Sequence, residues 1–277
     1  MSYSNFKPEF WSKHIQHELG KFTVFENDCD YKFEGEIKHG QALHIIGVTA
    51  PTIGTYDGTT INAPEDIAGA KQTLYVNQAK YFNIGIDDVD KAQAMEGTFE
   101  AYMEETTRAM AEVRDSYIAG LAADHTYASA STAVTDGDTA KAAIDLGLVQ
   151  LMNQGVKIGR DKVTIYLTPN FFFAFKDYVL ETKAKNDNAL STGEMGRYMG
   201  ATIKITNNAY NDGEEDQVGD DYIIMKTSKA IAFASQINEV EAFRPEGLFK
   251  DAVKGLNTFG GKVVRPKEMY VIKAHYA

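Results

Sequence analysis

Between two stretches that read as short strands, residues 42–48 and 72–76, the chain carries TAPTIGTYDGTTINAPEDIAGA, a segment rich in Gly, Thr and Pro. Connections longer than about 12–15 residues without structure of their own are uncommon in compact domains unless they are functional or disordered. This one is too apolar for an ordinary disordered linker, because it holds Ile53, Tyr56, Ile61 and Ile67 and is entered at Val48. Those side chains are spread among Gly, Thr and Pro, so they cannot close a local core. An excursion over 48–70 that packs against a partner reconciles the two properties. Val48, Ile53, Tyr56, Ile61 and Ile67 are therefore candidates for inter-subunit contact.

The second constraint is a helix. Over residues 87–124, Phe99, Met103, Thr106, Met110, Val113, Tyr117 and Leu121 recur at steps of three and four, while Glu100, Glu104, Glu105, Arg108, Glu112 and Asp115 fall on the other side. At 1.5 Å per residue the helix would be on the order of 50 Å long, comparable with the diameter of a globule of this size. It reads as a spine, and its aromatic and Met stripe as a buried face instead of a cofactor site. Residues 7–22 place Phe10, Trp11, Ile15, Leu19 and Phe22 near one helical face. Two readings stand: a packed terminal helix, or an arm docking on another subunit through Trp11 and Ile15.

Short strands are expected at 42–48, 72–76 and 80–86. After a polar stretch at 127–137, alternating elements suggest an α/β domain: helices at 140–154 and at 169–182 behind the start signal Thr168-Pro169, and strands at 162–167, 202–206, 222–225 and 230–234. Gly260-Gly261, lying between apolar stretches and ahead of a last strand at 269–274, reads as the turn of a hairpin closing a sheet.

With 277 residues, 44% of them hydrophobic, the chain can bury a sizeable core. Its net charge of -11 argues against holding nucleic acid through many neutralised phosphates, though an acidic wall could still enclose DNA. The single Cys29 has no partner for an internal disulfide and reads as a passive thiol in a reducing compartment. The N-terminus lacks the apolar core of a signal peptide, and no apolar run reaches membrane-spanning length. A soluble cytoplasmic product is the expectation.

No sharp catalytic signature is present: neither a nucleophile elbow, a phosphate-binding loop, a His-Glu-x-x-His helix, nor a dinucleotide fingerprint after a strand. His14 and His17 are three apart, but no second pair completes a metal site; His39, His44, His125 and His275 are isolated. Asp212, Glu214, Glu215, Asp216, Asp220 and Asp221 offer oxygen ligands without the spacing of a calcium loop, and read as a solvated turn. Lys204, Lys226, Lys229, Lys254 and Lys262 are scattered without interleaved aromatics, so only weak, non-specific DNA contact is expected. We assign no catalytic residue, cofactor or metal.

The order of these elements resembles the major capsid proteins of tailed bacteriophages, which share the Hong Kong 97 phage fold with bacterial encapsulin shells. FWSKHIQHELGKFTVFEN followed by DYKFEGEIKHGQALHI is similar to that family's N-terminal arm and the entry to its extended loop. QTLYVNQAKYFNIGIDDVDKAQA resembles the returning strand and the start of the spine helix. GRDKVTIYLTPNFFFAF, with Arg160 before its strand and Pro169 after it, and GEMGRYMGATIKITNNA resemble parts of the axial domain, and EAFRPEGLFKDAVKGLNTFGGKVVRPKEMYVI the closing strands of the peripheral domain.

The resemblance implies an α+β capsid fold divided as an arm (1–35), an extended β-loop with flanking strands (36–86), a spine helix with peripheral domain (87–137), an α/β axial domain (138–235) and peripheral closing strands (236–277). It implies a non-enzymatic subunit that assembles as hexamers and pentamers into an icosahedral shell around double-stranded DNA, with portal protein, possible decoration protein and, because the chain starts almost at the arm, a separate scaffolding protein. It places the protein in the virion capsid, assembled in the bacterial cytoplasm. Some members crosslink subunits through a Lys and an Asn assisted by a buried Glu; no such trio is matched here. An encapsulin-like compartment shell and a soluble α/β enzyme are the competing readings.

Overall fold

A computed structural model describes residues 23–32, 42–47, 53, 55–56, 70–87, 98–123, 125–182, 197–212, 219–247 and 249–276. In chain order the elements are β1 (Ala42–Gly47), β2 (Ala70–Tyr75), β3 (Gln78–Asp87), α1 (Thr98–Gly120), β4 (Ala128–Val134), α2 (Gly137–Asn153), β5 (Val163–Leu167), α3 (Pro169–Thr182), β6 (Arg197–Tyr198), β7 (Ala201–Ile205), β8 (Asp221–Thr227), β9 (Ile231–Phe243), β10 (Lys250–Val263) and β11 (Met269–Tyr276), with 3₁₀ turns at Glu26–Asp28 and Pro266–Glu268.

A six-stranded sheet in the order β4-β11-β8-β5-β7-β6 forms the larger layer. Its middle strands are continuous apolar runs because both faces are covered. Alternation divides their side chains: Val163, Ile165, Leu167, Ile223, Met225 and Ile272 point to one face, where Ile144, Leu148 and Leu151 of α2 and Phe171 and Phe175 of α3 cover them. Tyr166, Tyr222, Ile224 and Val271 point to the other, where they meet Phe25, Ile118 and Ala119 of α1, and Phe233 and Phe259. Helix α2 starts where the sequence offers a cap: Asp136 accepts the Thr139 N–H at 2.9 Å while Thr139 Oγ1 accepts the Asp136 N–H at 3.1 Å.

A second, three-stranded sheet runs β3-β10-β9, entirely antiparallel. Met103, Met110 and Ala111 of α1 pack on one side of it with Val240, Val253, Phe82 and Ile84. On its other side lies the two-stranded ribbon β1-β2, whose Leu43, Ile45 and Leu74 are buried against Ala232 and Ala234 of β9.

Several sequence expectations are corrected. Of the helix expected over 87–124, the described part is α1, Thr98–Gly120, about 35 Å of rise; residue 87 belongs to β3, and 88–97 lie outside the described residues. Its buried face is rotated from the expected stripe: Val113 is 41% exposed, whereas Thr107, Arg114 and Asp115 are buried. Asp115, expected on the solvent side, is fully enclosed because it has backbone donors to bind. The stretch 127–137 contains β4, an edge strand parallel to β11, whose small ASASTAV side chains give no apolar alternation to detect. Gly260-Gly261 is not a turn. Both residues lie within β10, opposite Ala234 and Phe233, and β11 joins the six-stranded sheet between β4 and β8. The expected closing strands over 236–277 thus divide between two sheets.

Candidate functional site

Residues 23–32 contribute one 3₁₀ turn and a single parallel bridge, Asp30 to Ala232, yet they lie at the meeting point of α1 and both larger sheets. Side-chain charges hold them there. Asp115 of α1 accepts the N–H groups of Val24 (2.6 Å), Phe25 (3.1 Å) and Glu26 (3.2 Å), donors that a turn this short leaves without partners of its own. Next to it Arg114 forms a buried ion pair with Glu26 and sits 5.3 Å above the Phe233 ring. Burial pushes the Asp115 carboxyl above its usual range, against the pull of the three N–H donors.

Asp28 is the centre of the junction. Its Oδ1 accepts from Lys162 Nζ at 2.6 Å, and its Oδ2 from Lys204 Nζ at 2.5 Å and from the Tyr166 hydroxyl at 2.9 Å. Burial disfavours the charged form, but these three donors outweigh it and hold the carboxyl well below the usual carboxylate range. Lys226, fully buried on β8, donates to the Asp28 backbone carbonyl, and its ammonium is 3.9 Å from Cys29 Sγ. Burial lowers the pKa of Lys226 and pushes the Cys29 thiol up to about 11, which leaves the thiol protonated and a poor nucleophile. Phe25 stacks on Tyr166 with centroids 4.2 Å apart. Both Asp28 oxygens are engaged internally, so the chemistry available here is that of a lock. Asp28 ties β5 and β7 to the segment that Asp115 and Arg114 tie to α1.

Strand alternation explains the convergence. Tyr166 of β5, Lys204 of β7 and Lys226 of β8 all lie on the sheet face away from α2 and α3. Lys204 and Lys226, scattered in sequence, are therefore neighbours in space, and Lys162 joins them from the residue before β5. Asp28, Arg114, Lys162 and Tyr166 were not singled out by sequence; the available signal was a charge set inside an apolar strand, as in YIIMKT.

Of the contact candidates, Ile53 is 94% and Tyr56 65% exposed, while Trp11, Ile15, Val48, Ile61 and Ile67 lie outside the described residues, as do His14, His17 and His39. His44 is within 3.1 Å of Thr73 Oγ1, His125 of β11's first carbonyl (Met269, 2.9 Å), and His275 of Asp220 (3.4 Å). In the acidic turn Asp212 accepts the Asp220 N–H at 2.7 Å and the Tyr222 hydroxyl at 3.2 Å, and Asn211 donates to Asp221 at 2.7 Å. Among the described residues no group of three or more His, Cys, Asp or Glu side chains is arranged to hold a metal ion.

The fold recurs in solved structures from phages. A structure from Mycobacterium phage Che8 is 28% identical and matches over 90% of both chains with a TM-score of 0.73. The capsid of cyanophage P-SCSP1u, 15% identical, matches over 92% of this chain and 89% of its own with the same TM-score. The chain has the Hong Kong 97-type capsid fold. This capsid fold also extends to the virus-like particle from Pyrococcus furiosus, 11% identical, over 96% of this chain and 99% of that one, at a TM-score of 0.62. No protein-family model and no curated protein matches the sequence. In this capsid-fold subunit the Asp28 junction lies in the interior, so it organises the subunit itself. The exposed Ile53 and Tyr56 belong to the segment beyond the ribbon.

Proposed function

We propose that the chain is the major capsid protein of a tailed bacteriophage, assembling as hexamers and pentamers into an icosahedral shell around double-stranded DNA. The observation that carries this reading is the likeness to phage structures along nine-tenths of the chain, at 28% identity for one of them. The acidic composition, net charge -11, suits a wall that encloses nucleic acid without gripping it. The subunit's role is structural and not enzymatic. Its partners are its own copies, a separate scaffolding protein, a portal protein and, where the shell needs one, a decoration protein. It resides in the virion capsid after assembly in the host cytoplasm. The chain order of arm, extended loop, spine helix and axial domain is retained in this reading, with β4 and β11 counted in the axial domain, whose six-stranded sheet they join.

Purified protein, alone or with its scaffold, is expected to form closed shells of uniform diameter in electron micrographs. A sharp monomer peak at every concentration and salt condition tried, with scaffold present, would sink the proposal. The likeness to a virus-like particle favours a second reading, an encapsulin-like compartment shell. The contents of particles isolated from the native source decide between the two: packaged double-stranded DNA for a capsid, a cargo protein for a compartment. We also expect no covalent bonds between subunits, since no Lys, Asn and Glu trio is matched. Boiled and reduced particles should run as one band near 30.6 kDa, and a ladder of multiples would show a crosslinking pair.

A further inference from the structure

We propose that Gly260 is a positioning residue for assembly, fixing the angle at which the β1-β2 ribbon leaves the subunit and so how residues 48–69 are presented to a neighbouring copy; this rests on the capsid reading above. The ribbon lies on a bed of small side chains. Ala234 is paired with Gly260 and Ala232 with Lys262 across β9 and β10, and Leu43, Ile45 and Leu74 are buried on that bed beside Val76 and Val264. The last pair joining β10 to β3 is Phe259 with Gln78. One residue further along β10 the incoming chain no longer runs beside the strand but crosses over it, with Tyr75 and Val76 resting directly on Gly260. A Cβ at residue 260 would lie 2.7 Å from Val76 Cα and closer still to the Tyr75 carbonyl oxygen. Both obstacles are backbone, so only Gly permits this crossing.

Two further bonds pin the ribbon beyond the crossing: Lys262 Nζ donates to the Thr73 carbonyl at 3.0 Å, and Gln72 Nε2 donates to the Val264 carbonyl at 3.3 Å. A methyl at 260 would lift the corner by roughly 1 Å against a pin two residues away, about 7 Å along the strand, a tilt of roughly 8°. Carried along a six-residue strand of about 20 Å, that tilt moves the far end of the ribbon by about 3 Å. Shells close only when every subunit meets its neighbours at the right rotation, so a fixed angular error repeated in every copy changes particle size or prevents closure.

The test uses full-length protein in three forms: wild type, Gly260→Ala and Gly261→Ala. A Cβ at residue 261 would meet the mobile end of Leu121, 3.1 Å away, so this variant introduces the same methyl on the opposite face. Thermal unfolding and particle diameter by electron microscopy are read for each. We expect wild type and Gly261→Ala to give shells of one diameter, and Gly260→Ala to unfold cooperatively while yielding at least tenfold fewer closed shells of that diameter, with open or mis-sized assemblies in their place. Wild-type-like shells from Gly260→Ala would overturn the inference and leave the capsid reading intact, whereas absence of shells from wild type with scaffold present would remove that reading and this inference together. Should Gly260→Ala fail to fold, Lys262→Met decides, because it leaves the crossing intact and releases only a pin: a broadened range of diameters supports the inference, and uniform wild-type shells overturn it.

Discussion

Asp28→Ala is expected to lower the unfolding free energy of the isolated subunit by about 3 kcal/mol, the lower end of what removing one partner of a buried charged group costs. The lower end applies because Lys162 is 61% and Lys204 29% exposed and both can turn to water, while the buried Tyr166 hydroxyl loses its acceptor. For a protein of this size that corresponds to a fall in melting temperature of roughly 6–12 °C. Asp28→Asn keeps the shape and should lose roughly half as much, since it forfeits the charge assistance but not the contact. Because the Asp28 carboxyl is held below its ordinary value of 3.8, its contribution is fully present above that value and lost as pH falls through the lower, folded-state value. The gap between wild type and Asp28→Asn should therefore be flat at neutral pH and shrink only below about pH 4. A gap that widened on acidification, or an Asp28→Ala subunit as stable as wild type in chemical denaturation, would show that the junction is not held by the ionised carboxylate.

The junction also marks the limit of what sequence patterning conveys. Where burial and periodicity coincide, the residues announce the fold: the run VTIYL is β5, Pro169 opens α3, and alternation around Ile84 marks β3. The reading fails where polar residues are interior. Arg114 and Asp115 turn the buried face of α1 away from Val113, because one binds Glu26 and the other the backbone of residues 24–26, partners some ninety positions away in the chain. Lys226 reads in sequence as one of several scattered lysines, just past the strand expected at 222–225, whereas a backbone carbonyl 198 positions away holds it in the core. Gly260 signals a turn by composition; in the structure its missing side chain admits a crossing strand. Each error has the same origin. A rule based on neighbours in sequence assigns charge to the surface and Gly to turns, and only tertiary contacts reverse those assignments.

Replacing residues 49–69 with a short Gly/Ser turn is expected to leave a cooperatively folding subunit that no longer forms shells. The register of the ribbon makes the replacement feasible: Gly47 is paired with Ala70, so the ends to be joined are already adjacent across an antiparallel ladder. Shortening the connection changes loop-closure entropy by only about 1–2 kcal/mol, in the direction of stability. The side chains that anchor the ribbon, Leu43, Ile45 and Leu74, lie outside the replaced stretch and keep burial worth about 1.5–3 kcal/mol each. Assembly loses Ile53, Tyr56, Ile61 and Ile67. Against a neighbouring copy each would contribute about as much before ordering costs, summed over every contact in a shell. The expected pair of results is an unchanged melting transition by circular dichroism and a protein that stays as monomers or small oligomers in sedimentation, with or without scaffold. Normal particles from the shortened chain would remove the segment from the assembly interface. Loss of the folded monomer would place it in the subunit's own core.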